Sequence, residues 1–100
     1  MEINLVCGTN FYLIENFISE IKNNSEFEFE RINSEFISRE EIQNHISTYS
    51  MFSEKKFVVI DTLLTTIASQ EKDGSWKGFF DNIKSNESSN IIYIVEKIEN

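Results

Sequence analysis

Gly8 ends the apolar run of residues 3–7 and precedes a helical pattern that starts at Phe11. A strand, a glycine turn and a helix in that order is where nucleotide-binding folds cradle phosphate. They use stacked backbone amides for the oxygens, a lysine for the charge and a hydroxyl for magnesium. Such a loop reads Gly-x-x-x-x-Gly-Lys-[Ser/Thr], whereas this chain reads Gly8-Thr9-Asn10-Phe11-Tyr12-Leu13-Ile14-Glu15. Leu13, Ile14 and Glu15 stand where the second glycine, the lysine and the hydroxyl belong, so the first glycine alone fits. The dinucleotide fingerprint Gly-x-Gly-x-x-Gly fails as well, because Asn10 and Leu13 occupy its later glycine positions. The turn is expected to bind no nucleotide cofactor.

The other reactive residue types are thinly spread. Asp61 closes the run of residues 57–60, where nucleotidases place a magnesium-orienting aspartate. Without a phosphate loop it has nothing to orient and reads as a polar residue opening a turn. As the phosphoacceptor of a signalling receiver it would need an acidic pair after the first strand, where Cys7-Gly8 stands. Cys7 and His45 are single residues of their types, and a structural zinc site takes four such ligands. A Cys/His nucleophilic pair would need an orienting group that the pattern around His45 does not signal. The expectation is a buried, inert Cys7 and a solvated His45. Glu26, Glu28 and Glu30 read as a solvated strand edge. Trp76, Phe79 and Phe80 read as core and not as a stacking platform for bases. No catalytic or metal-binding residue is predicted.

The elements that would position these residues follow from periodicity. Residues 3–7 suit a buried first strand, with Leu5 and Val6 at its centre. Phe11, Ile14, Phe17, Ile18 and Ile21 recur at helical spacing, with Thr9 or Asn10 as cap and an end near Asn23 and Asn24. Residues 26–31 alternate strictly, as an edge strand does. Ser38-x-x-Glu41 is a capping box, flanked by Ile37 and Ile42 at staple spacing, and the stripe Ile42, Ile46, Tyr49 carries that helix to about Ser50. Residues 57–61 and 91–95 are β-branched runs without alternation, which predicts strands covered on both faces. Leu63, Leu64 and Ile67 fit a short helix. Trp76, Phe79, Phe80 and Ile83 fit another, capped by Asp73 or Ser75. Alternating strands and helices with two doubly covered strands predict an α/β fold: a three-layer parallel sheet with right-handed crossovers.

Composition narrows the function classes. The 100 residues are 40% hydrophobic and 26% charged, which suits one folded domain and excludes disorder. A chain this long buries about two-thirds of its unfolded surface, so a core forms without disulfides or metal. No apolar run approaches the roughly 20 residues needed to span a bilayer, and Met1-Glu2-Ile3-Asn4 has no basic flank. A cytoplasmic location is expected, with no membrane partner. With 17 acidic and 9 basic side chains the net charge is -8, which repels phosphate backbones and argues against direct nucleic-acid contact.

Met51-Phe52 stands apart. It lies between Ser50 and Ser53 in a short polar connection leading to Lys55 and the next strand. Two large apolar side chains there are either tucked under the sheet edge or presented outward as a plug. Methionine adapts to irregular pockets and phenylalanine fills them.

Taken together, residues 5–15, 29–32, 49–60 and 91–97 resemble the N-terminal domain of the delta subunit of bacterial DNA polymerase III over essentially the whole chain. The most specific segment is Met51-Phe52-Ser53-Glu54-Lys55-Lys56 with the strand that follows; Gly8 and Leu13-Ile14-Glu15 support it. The resemblance implies an AAA+ (P-loop NTPase-like) fold with a degenerate phosphate loop, no ATP binding of its own and no cofactor or small-molecule substrate. It implies a clamp-loader component that binds and opens the sliding clamp and assembles with the other clamp-loader subunits, within a holoenzyme that is a DNA-directed DNA polymerase, a nucleotidyltransferase complex. The apolar pair by which such subunits plug a clamp pocket matches Met51 and Phe52, with methionine where leucine is commoner. On this resemblance residues 1–100 are the N-terminal part of the clamp-binding domain, ahead of its last strand, a lid and a collar. The alternatives are a small α/β enzyme or a nucleotide-binding domain with an unrecognised site.

Overall fold

The computed structural model describes residues 1–24, 27–48, 55–70, 76–84 and 89–99. They form β1 (Glu2–Gly8), α1 (Phe11–Asn24), β2 (Glu28–Asn33), α2 (Arg39–Ser47), β3 (Lys56–Asp61), α3 (Leu63–Gln70), α4 (Phe79–Lys84) and β4 (Ile91–Lys97). The strands make one all-parallel sheet in the order β1-β4-β3-β2. Among the described residues no helix is long and apolar enough to cross a membrane.

The chain crosses from β1 to the far edge at β2 and returns through β3 and β4. Connections of one hand then place α1 on one face and the later helices on the other, and the core divides that way. Ile14 and Ile18 of α1 pack with Val59 and Val95, while Ile42, Ile46, Leu63, Phe79 and Ile83 pack with Val58, Ile60, Ile92 and Ile94. Val58, Val59 and Ile60 are fully buried in succession, which is why β3 shows no alternation. Trp76 and Phe79 belong to the core, their rings meeting edge to face at 5.1 Å.

Start and stop signals act locally. Ser38 caps α2, its hydroxyl accepting the Glu41 amide at 3.2 Å. The helix closes at Ser47 with Thr48 as C-cap, earlier than the stripe predicts. Thr62 turns β3 into α3 with φ of 62°, a costly conformation for a β-branched residue. It is held there by its amide bond to the Val95 carbonyl at 2.9 Å and by its hydroxyl bond to Asn33 Oδ1 at 3.2 Å. The capping residues expected ahead of α4, Asp73 and Ser75, lie outside the described residues.

Two expectations need correction. β1 is not the buried strand expected, nor is Cys7 buried: β4 is the one neighbour of β1 in the sheet described, Leu5 is 57% exposed and Cys7 is also exposed. Ile3 packs against the helices of its face, but Leu5 and Cys7, further along the same face, do not. β2 is an edge strand as expected, yet its charged residues are not simply solvated. Glu30 bonds the buried Lys56 and His45 on one face, and Arg31 bonds Glu15 and Asp61 on the other.

Candidate functional site

A parallel sheet has two unlike rims. At the C-terminal rim the strands end beside the turn into α1, where a phosphate would sit against helix amides. Here two of those amides, Leu13 and Ile14, have a partner within the chain. Asn10 caps α1, its Oδ1 accepting the Leu13 amide at 3.1 Å and its carbonyl the Ile14 amide at 3.2 Å. A Cβ placed on Gly8 would meet Ile14 Cδ1 at an ordinary 4.0 Å, so packing within the chain does not require a glycine there.

Glu15, at the position where a phosphate loop has its hydroxyl, receives Arg31 Nη1 and Nη2 at 2.8 and 2.9 Å and Lys97 Nζ at 2.6 Å. The same guanidinium grips Asp61, Nε to Oδ2 at 2.7 Å and Nη2 to Oδ1 at 3.0 Å. Arg31 thereby joins β2 to α1 and β3, and Lys97 ties β4 to the same cluster through Glu15. Its hydrogen bonds, and after them those of Lys97, hold the Glu15 carboxyl down to about 2. The Arg31 guanidinium is pushed the other way, first by Glu15 and then by Asp61. Asp61 therefore does open a turn, as the sequence predicts, but its carboxylate is the anchor of Arg31.

Cys7 and His45 are not a catalytic pair. One lies on β1 and the other bonds Glu30 of β2, at opposite edges of the sheet and about 14 Å apart on strand spacing alone. No group of three metal-ligating side chains occurs among the described residues.

The N-terminal rim is built differently. Here α2 ends and β3 begins, and the connection between them carries Met51 and Phe52, which lie outside the described residues. The flanks of that connection are tied twice. Glu30 Oε2 lies 3.2 Å from Lys56 Nζ and 3.1 Å from His45 Nδ1, linking β3 and α2 through β2. Lys56 is 98% buried in this arrangement, its side chain 2% exposed. Behind it Asn90, 1% exposed, donates from Nδ2 to the Ile46 and Thr48 carbonyls at 2.8 and 3.1 Å and accepts the Lys56 amide on Oδ1 at 3.1 Å. Beside this junction an open hollow of about 340 Å³ is lined by Glu30, Glu41, Asn44, His45, Thr48 and Lys56. Sequence reasoning missed Asn90 altogether. Three residues of a polar stretch, Ser88-Ser89-Asn90, look alike until the fold is known.

The chain matches the family described as DNA polymerase III, delta subunit, over residues 5–99. No curated protein matches it. Among solved structures it is similar to the Bacillus subtilis DNA clamp loader delta protein (YqeN), at 14% identity and a TM-score of 0.72, over 100% of this chain and 32% of that one. The likeness is one of fold, and the chain spans about a third of the length of that structure.

Proposed function

The chain belongs to the family of the DNA polymerase III delta subunit, and from that membership we propose that it is the N-terminal part of an AAA+-like domain that binds and opens the sliding clamp. Its role is mechanical. Met51 and Phe52 enter a hydrophobic pocket on the clamp, and ATP bound by neighbouring clamp-loader subunits governs when the pair is presented, a shift between states of different clamp affinity. The domain itself binds no nucleotide, because the phosphate loop is degenerate and Asn10, Arg31 and Lys97 are already committed to partners within the chain. The rest of the domain, a lid and a collar complete the subunit and join it to the other loader subunits in the cytoplasm. A net charge of -8 suits a surface that meets a protein ring while DNA is handled elsewhere in the assembly.

The observation that supports this reading most is the division of labour between the two rims. The rim that would hold phosphate is neutralised by side chains of the fold. The rim that carries the apolar pair has both flanks of its connection fastened, as a plug that must meet a pocket in one orientation requires. Titration of the purified clamp with the full-length subunit and its Phe52→Ala variant tests it.

A further inference from the structure

We propose that Asn90 is a positioning residue for the clamp contact, an inference that rests on the reading of Met51 and Phe52 as the clamp plug. The last carbonyls of a helix lie beyond its own hydrogen-bond ladder and take partners from outside it. At the end of α2 Asn90 reaches the carbonyls of Ile46 and of the C-cap Thr48 with the two hydrogens of a single amide. Its oxygen takes the first amide of β3, that of Lys56. Its three side-chain hydrogen bonds among the described residues therefore end on the two flanks of residues 49–54, and its own carbonyl accepts the Glu2 amide at 3.2 Å, fixing it to β1. One buried side chain thus sets the distance and direction between the point where the connection leaves and the point where it re-enters the sheet. A plug of two side chains delivers its contact energy only if its backbone is held while it docks, since ordering the connection on binding would subtract from affinity.

The chemistry is specific to an amide. A carboxylate at position 90 keeps the acceptor for Lys56 but turns two donors into repulsion against the helix carbonyls. Alanine removes the donors that reach the Ile46 and Thr48 carbonyls and the acceptor of the Lys56 amide, in a buried place. Neither change touches the residues that would enter the clamp.

The test is a double-mutant cycle in the full-length subunit, with clamp affinity as the readout and Asn90→Ala, Asn90→Asp and Phe52→Ala as the changes. Asn90→Ala and Asn90→Asp are each expected to weaken clamp binding about tenfold, with the variants still melting cooperatively. Phe52→Ala is then expected to cost several-fold less in the Asn90→Ala background than in the unaltered protein, a coupling that a role in stability alone would not produce. If Phe52→Ala costs the same in both backgrounds, Asn90 does not position the pair and this proposal falls. If Phe52→Ala costs nothing in the unaltered protein, the plug reading falls first, so the two failures are distinct. Hydrogen exchange on the unaltered protein covers the case in which Asn90 variants do not fold. The Lys56 amide is expected to be protected like the interior amides of β3, and exchange at the rate of an open chain would overturn the clip.

Discussion

Arg31 and Glu15 meet side on, guanidinium against carboxylate, with Nη1 to Oε2 at 2.8 Å and Nη2 to Oε1 at 2.9 Å. The pair joins β2 to α1, and the consequences are electrostatic.

The first is a dependence of stability on acid. The Glu15 carboxyl is held at about 2 in the fold, first by Arg31 and then by Lys97, against an ordinary 4.5. A depressed carboxyl contributes stability that is present above its unfolded value and is lost as pH falls through its folded value. Glu15→Gln should therefore cost stability at pH 7 and cost progressively less from about pH 4.5 down to about 2. The Glu15 side chain is 43% exposed, so solvent screening keeps the neutral-pH loss to about 1 kcal/mol or less. Urea unfolding of both proteins across this range measures the gap; a gap that ignores pH would contradict the ion-pair account.

A second prediction separates two glutamates that look alike in sequence. Glu30 is the partner of buried Lys56, and Glu28 has no such role among the hydrogen bonds described. Removing one member of a buried pair strands the other charge. Glu30→Ala should cost about 2 kcal/mol, reduced from the cost of a fully buried pair because Glu30 is 29% exposed. Glu28→Ala should stay within about 0.5 kcal/mol, as surface changes do. Equal losses in chemical denaturation would show that Lys56 is not held by Glu30.

Nucleotide binding gives the third. Calorimetric titration with ATP and magnesium should give no saturable heat, because the Leu13 and Ile14 amides of α1 and the cations Arg31 and Lys97 have partners within the chain. An isotherm of micromolar affinity would revive the nucleotide-binding alternative.

What the sequence made legible was whatever is decided locally. The runs of β3 and β4 announce strands covered on both faces, and the Ser38 cap forms from residues three apart. The same logic misassigns β1. A short apolar run such as Leu5-Val6-Cys7 looks identical whether one neighbour lies beside it or two, and the fold places β1 at the sheet edge described, with Leu5 and Cys7 exposed. Glu30 was misread as solvated because His45 and Lys56 lie 15 and 26 residues away. Asn90 carries no local signal at all: the partners of its side chain are 34, 42 and 44 residues distant, on two other elements. Met51 and Phe52 are proposed from a resemblance and not from periodicity, since a pair that serves a partner would leave no pattern in the fold that carries it.

The most direct measurement is the affinity of the full-length subunit for the purified sliding clamp, with and without the apolar pair. Phe52→Ala, alone or with Met51→Ala, should weaken binding by about 2 kcal/mol or more, roughly 30-fold, the scale of an interface hot spot. Unchanged affinity in a variant that melts like the unaltered protein would contradict the assignment of the clamp contact to Met51 and Phe52.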